Sequence, residues 1–162
     1  MTAPTARASA RRHRLGALRL VREDSFDAPV GYDAQCECTS PQAVFLFMQP
    51  YVKREDVEVF WILALTAQRR VIRNRPISVT RGLLNQTFIH PRELFRPAIH
   101  LNAAAIILVH NHPSGDPTPS AEDRMVTSQL VAAGTLLDIR VFDHVIVTTD
   151  RYVSFAQDGL RH

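Results

Sequence analysis

Only two cysteines occur in 162 residues, Cys36 and Cys38. Neighbours in one short segment build no disulfide framework, so a reducing compartment, the cytoplasm, is expected. Lysine is nearly missing as well: Lys53 is the single lysine among 19 basic residues, the rest being arginine. No apolar run reaches the ~18 to 20 residues that span a bilayer, which excludes a helical membrane span. The N-terminal stretch lacks the apolar segment of a secretory signal. No segment repeats.

What is present suits one globular domain with a real core: 46% of residues are hydrophobic and 22% charged. The net charge of +3 permits weak attraction to nucleic acid without arguing for it. The basic residues are unevenly spread. "MTAPTARASARRHRLGALRLVR" holds six arginines and no acid. Residues 1–33 are therefore expected to form a basic, flexible tail, and 34–162 the folded domain. A nucleic-acid-binding arm is the sharper reading of the tail. A transit peptide is a third, but serine is sparse there.

The chain alternates helical and strand signals. "TSPQAVFLFMQPYV" reads as a helix capped by Thr39 or Ser40, with Pro41 in its first turn and Pro50 ending it. "VEVFWILAL" reads as a buried strand, with Phe60 and Trp61 in the core. "VIRNRPISVT" reads as a further strand, at an edge or bulge because of Pro76. "HPRELFRPAIHLN" reads as a helix disturbed at Pro97, and "AAAIILVH" as a second buried strand. "SAEDRMVTSQLVAAGTLL" reads as a helix ended near Gly134. "IRVFDHVIVTT" and "YVSFA" close the series as strands. A short strand is expected at "LRLVR" as well. The pattern is that of an α/β domain around a central sheet.

The chemistry concentrates in "LVHNHPSGDPTPSAEDR". His110 and His112 end a strand, where alternate residues share a face with Cα atoms about 6.6 Å apart. Two imidazoles so placed can converge on one metal ion. Pro113, Pro117 and Pro119 stiffen the loop that follows, and Gly115 permits a turn. Asp123 falls in the first turn of the next helix. It can be a third ligand, or it can close a capping box with Ser120. Three protein ligands without cysteine would leave a fourth position open for water, as in a catalytic zinc site. Such a site needs a proton acceptor. Glu58, opening the first apolar strand, is the candidate; Glu93 and Asp143 are rivals. His144 with Asp143 could orient a ligand, although a histidine satisfied within the sheet is the plainer reading. His90 and His100 read as surface or packing residues. Cys36-x-Cys38 lacks the partner motif of a zinc deaminase.

At these residues the chain resembles the JAB/MPN metalloprotease family, whose JAMM motif is a glutamate, then H-x-H, ten residues and an aspartate, with a serine three before it. His110, His112, Ser120 and Asp123 match that spacing, and Glu58 matches the glutamate. "HPRELF", "NAAAIILVHNHPSGDPTPSAED", "FDHVIV" and "YVSFA" resemble the RadC-like branch in order, over roughly residues 40 to 160. The resemblance implies a cytidine-deaminase-like α/β fold, a mixed central sheet flanked by helices. It implies one zinc ion per chain held by His110, His112 and Asp123, with water as fourth ligand. Glu58 would move the proton of that water and Ser120 would donate to the oxyanion. The implied reaction is hydrolysis of a peptide or isopeptide bond. Many RadC-like proteins carry a further N-terminal DNA-binding region. This chain resembles the short single-domain form instead. The branch name points to DNA repair, the motif to proteolysis.

Three functions are therefore weighed. The first is a zinc metallohydrolase acting on a peptide or protein. The second is a nuclease or DNA-repair accessory that binds nucleic acid; the letters "HNH" suggest it, but HNH nucleases scatter those residues through a ββα unit. The third is a catalytically silent scaffold. Edge strands could support a homodimer, though no residue demands one, and no membrane partner is expected.

Overall fold

The computed structural model describes residues 36–82 and 89–159. The tail expected at 1–33 and the short strand expected at 18–22 lie outside them. Among the described residues three helices pack on a five-stranded sheet in the order β2-β1-β3-β4-β5. The strands are β1 (Val59–Leu65), β2 (Ile77–Arg81), β3 (Ala105–Asn111), β4 (Arg140–Val147) and β5 (Tyr152–Ser154). β3 and β4 run parallel and every other neighbouring pair antiparallel. The expected mixed α/β sheet is what forms.

The apolar runs explain the order. β1 and β3 are buried along their whole length and occupy interior positions in the sheet, where both faces need apolar cover. Helix α1 (Pro41–Val52) covers one face, packing Val44, Phe47 and Met48 against Trp61, Leu63 and Val109. Helices α2 (Pro91–His100) and α3 (Ala121–Leu136) cover the other, packing Leu94, Phe95 and Leu130 against Phe60, Ile62 and Leu108. Phe60 and Trp61 thus anchor opposite layers, as strand alternation requires. α3 is the crossover that lets β4 lie parallel to β3.

Three boundaries differ from the sequence reading. Pro50 does not end α1, which runs to Val52 after its cap at Ser40. A proline in the last turn forfeits one hydrogen bond, to the carbonyl of Leu46, a residue 56% exposed to solvent. "VIRNRPISVT" is not one strand: a 3-10 turn at Ile72–Asn74 precedes β2, with Arg73 and Asn74 at positive φ. The edge position expected from Pro76 holds for β2. Gly134 does not end α3, which continues to Leu136. The residue inside the helix is glycine because a Cβ there would stand 2.6 Å from the Ile139 carbonyl oxygen. The reversal falls at Asp138, with φ 55°.

Candidate metal centre

The site forms where β1, β3 and the start of α3 meet. In the antiparallel ladder Phe60 lies opposite His110, so continuing the register places Glu58 opposite His112. His110 and His112 share the face covered by α2 and α3, and the His110 ring stacks on Phe60 at 5.6 Å. Their Nε2 atoms approach to 3.0 Å. One ligand atom from each of Glu58, His110 and His112 fits within 4.8 Å of the others, a group able to hold a metal ion. Asp123 adds to it: its Oδ1 lies 3.2 Å from His110 Nε2 and its Oδ2 3.7 Å from His112 Nε2.

Asp123 serves the helix and faces the cluster at once. Its Oδ2 accepts the Ser120 backbone N–H at 2.7 Å, and Ser120 Oγ accepts the Asp123 N–H at 3.0 Å. That is a capping box at the N-terminus of α3. The box uses one carboxylate oxygen. Oδ1 is buried and takes no hydrogen bond. The cap and a ligand role are therefore compatible.

The loop between β3 and α3 is held at several points. His112 N–H continues the sheet by donating to the Val147 carbonyl at 3.0 Å. Gly115 turns the chain at φ +83°, and Arg151 Nη2 donates to its carbonyl at 2.7 Å. Thr118 closes a turn on Asp116 Oδ1, through backbone at 3.0 Å and hydroxyl at 2.7 Å. The Asp116 carbonyl lies 2.7 Å from His112 Nδ1. A carbonyl only accepts, so Nδ1 carries a proton and Nε2 of the neutral ring faces the cluster as a lone pair.

These neighbours set the charges. Burial holds the His110 imidazole below the ordinary histidine value, with Asp123 opposing. Burial alone would lower His112 too, but Asp123, the Asp116 carbonyl and Glu58 outweigh it and raise that ring. For Asp123 burial favours the neutral acid, yet His110 and His112, in their protonated forms, and the Ser120 N–H hold the carboxyl well below the usual range. Glu58 is pushed up by burial and by the Asp123 charge, against His112. Its Oε1 is buried with no hydrogen-bond partner.

The donor set fits a cation. Glu58, His110 and His112 each bring one ligand atom to the group, and Asp123 Oδ1, buried and without a donor, lies 3.2 Å from His110 Nε2. Unpaired buried acceptors are costly. A cation ligated by nitrogen and oxygen satisfies all of them together.

Four residues that position the site went unassigned or were weighed differently in the sequence. Asn111 turns away from the two histidines and grips the start of β1: its Oδ1 accepts Val59 N–H at 2.8 Å and its Nδ2 donates to the Val57 carbonyl at 3.0 Å. Both bonds flank Glu58. Thr127 and His144 lie behind His110, with His144 Nε2 2.8 Å from His110 Nδ1. Arg151 holds the loop as described. The buried His144 ring is satisfied on both nitrogens, by Thr127 and by His110. Its neighbour Asp143 points the other way, accepting Ser154 Oγ at 2.6 Å and Ala156 N–H at 2.8 Å. Glu93 pairs with Arg92 and Arg96 on the surface of α2. His90 and His100 are exposed. Cys38 is core, and burial pushes its thiol up.

A mixed-sheet α/β domain with a histidine–carboxylate cluster at the end of an interior strand defines the class. Residues 38–160 match the model of the RadC-like JAB domain, and the chain belongs to that family. It is 45% identical over 122 residues to a UPF0758 protein of Trichlorobacter lovleyi, covering 75% of this chain and 52% of that protein. A UPF0758 protein of Symbiobacterium thermophilum is 46% identical over 121 residues, 75% of this chain and 51% of the relative. One from Methanosarcina mazei is 42% identical over 121 residues, 75% and 52%. The chain spans about half the length of these curated relatives. Among the described residues no helix is long and apolar enough to cross a membrane.

Proposed function

We propose that the protein is a zinc-dependent metallohydrolase of the JAMM type, cleaving a peptide or isopeptide bond. One observation carries the reading: Asp123 Oδ1, buried and without a hydrogen-bond donor, lies 3.2 Å from His110 Nε2, which itself stands 3.0 Å from His112 Nε2. His110, His112 and Asp123 are the ligands. Asp123 suits that role because it stays ionised and its Oδ1 is kept for the cluster. A zinc ion held there supplies Lewis acidity, polarising a carbonyl and activating a water.

Glu58 is the proton carrier. It stands opposite His112 at the half-buried end of β1, and its raised pKa brings it nearer to the working pH, as general acid–base catalysis requires. Its Oε1 accepts the proton of the attacking water and delivers it to the leaving amine. Among the described residues Ser120 Oγ accepts the Asp123 N–H and no other donor, which leaves its hydroxyl proton to donate to the oxygen of the attacked carbonyl. Asn111 favours this reading over a nuclease of the HNH type, since its side chain is occupied with the β1 backbone.

The test is Glu58→Gln. The substitution removes the proton acceptor and keeps the shape. Zinc content should stay at the wild-type level while hydrolysis of a peptide library falls by about 10² to 10⁴. Unchanged cleavage by the variant would remove Glu58 from the reaction.

A further inference from the structure

A neutral imidazole carries one proton, and only its other nitrogen can bind a metal. For His110 the choice is made three groups away. Thr127 sits one turn after Asp123 on α3, and its hydroxyl is hydrogen-bonded to the Asp123 carbonyl. A carbonyl has no proton to give, so the single hydroxyl proton of Thr127 points there. The same Oγ1 lies 2.6 Å from His144 Nδ1. With its proton committed, Oγ1 can only accept, so the His144 proton sits on Nδ1. His144 Nε2 is then a lone pair, 2.8 Å from His110 Nδ1, and His110 Nδ1 must donate to it. His110 Nε2 is left bare, facing His112 Nε2 and Asp123 Oδ1.

A second proton on His144 would reverse this order. The surroundings oppose it. The ring is buried, stacked on Phe155 at 4.8 Å and tilted against Phe60 at 5.3 Å, and a charge there would go unsolvated.

We propose that Thr127 and His144 are positioning residues: a hydroxyl–imidazole relay, anchored on the Asp123 carbonyl, that fixes His110 as its Nδ1–H tautomer. Its purpose rests on the metal-centre reading, but the tautomer is a property of the metal-free chain. One turn of α3 then supplies both a carboxylate to the cluster and the proton polarity of the first histidine. Outer groups of this kind orient a ligand and raise its basicity.

The test uses the full ¹⁵N-labelled chain, stripped of metal, with long-range ¹H–¹⁵N spectra of the histidine rings. Wild type should show His110 protonated at Nδ1 and bare at Nε2. Thr127→Val removes the acceptor for His144 Nδ1–H, and His110 should lose its fixed tautomer. Zinc affinity, read by chelator competition, should fall about 10- to 100-fold. Thr127→Ser keeps the hydroxyl and should restore both readouts. A proton on Nε2 of His110 in wild type would overturn the relay, and so would Thr127→Val with tautomer and affinity unchanged. If that variant does not fold, the wild-type spectrum still decides. A wild type with the expected tautomer that binds no zinc would support the relay and defeat the metal reading.

Discussion

Asn111→Ala isolates the clamp that fixes Glu58. The wild-type side chain makes two hydrogen bonds to the β1 entry, at 2.8 Å to the Val59 N–H and 3.0 Å to the Val57 carbonyl. Val59 is buried, so its N–H would lose its partner without gaining water. That costs about 1 to 3 kcal/mol. Val57 is half-buried, and water can replace part of the second bond, leaving about 1 kcal/mol. The expected loss is about 2 to 4 kcal/mol, or roughly 4 to 16 °C in Tm for a chain of this size. Urea unfolding of the metal-free protein, with m unchanged, measures it. The same variant leaves His110, His112 and Asp123 in place, so zinc should still bind while cleavage falls with the loosened Glu58. A loss below about 0.5 kcal/mol would mean that the clamp does not hold the strand entry. A loss of zinc together with stability would mean that Glu58, not Asp123, completes the ligand set.

Two further predictions follow from charge and packing. His112 has a raised pKa because Asp123, the Asp116 carbonyl and Glu58 together outweigh burial, and a metal must displace that proton. Zinc affinity should therefore fall as pH drops through the His112 pKa, by about tenfold per pH unit below it, and level off above. A competition titration that finds no loss of affinity on acidification would contradict the arrangement. Gly134→Ala would gain about 1 kcal/mol if helix propensity alone decided. The new Cβ would stand 2.6 Å from the Ile139 carbonyl oxygen, so overpacking should outweigh the gain and destabilise the fold by about 1 to 2 kcal/mol net; a raised Tm would refute the packing account.

The legible parts of the molecule were those written locally. β1 and β3 stand out because a strand buried on both faces reads as a continuous apolar run. His110 and His112 share a face because strand alternation fixes it. Ser120 and Asp123 are one capping unit whose spacing is set by the helix. What the sequence concealed depended on which strands become neighbours. His144 meets His110 only because β4 lies parallel beside β3 with Leu108 opposite His144. Asn111 reads as the middle of a histidine pair until the β1–β3 register brings Val57 and Val59 to it. Thr127 carried one local signal, a hydroxyl four residues after Asp123 on the same helical face, but nothing local said that a histidine would approach it. Gly134 looked like a helix end because its packing partner Ile139 lies beyond the turn.

The most direct test is metal content by elemental analysis, wild type beside His112→Ala, both purified without added metal or chelator. The account predicts close to one zinc per chain in wild type and its loss in the variant. No bound metal in either protein, even after zinc is offered, would leave Asp123 as a helix cap alone and contradict the metal centre.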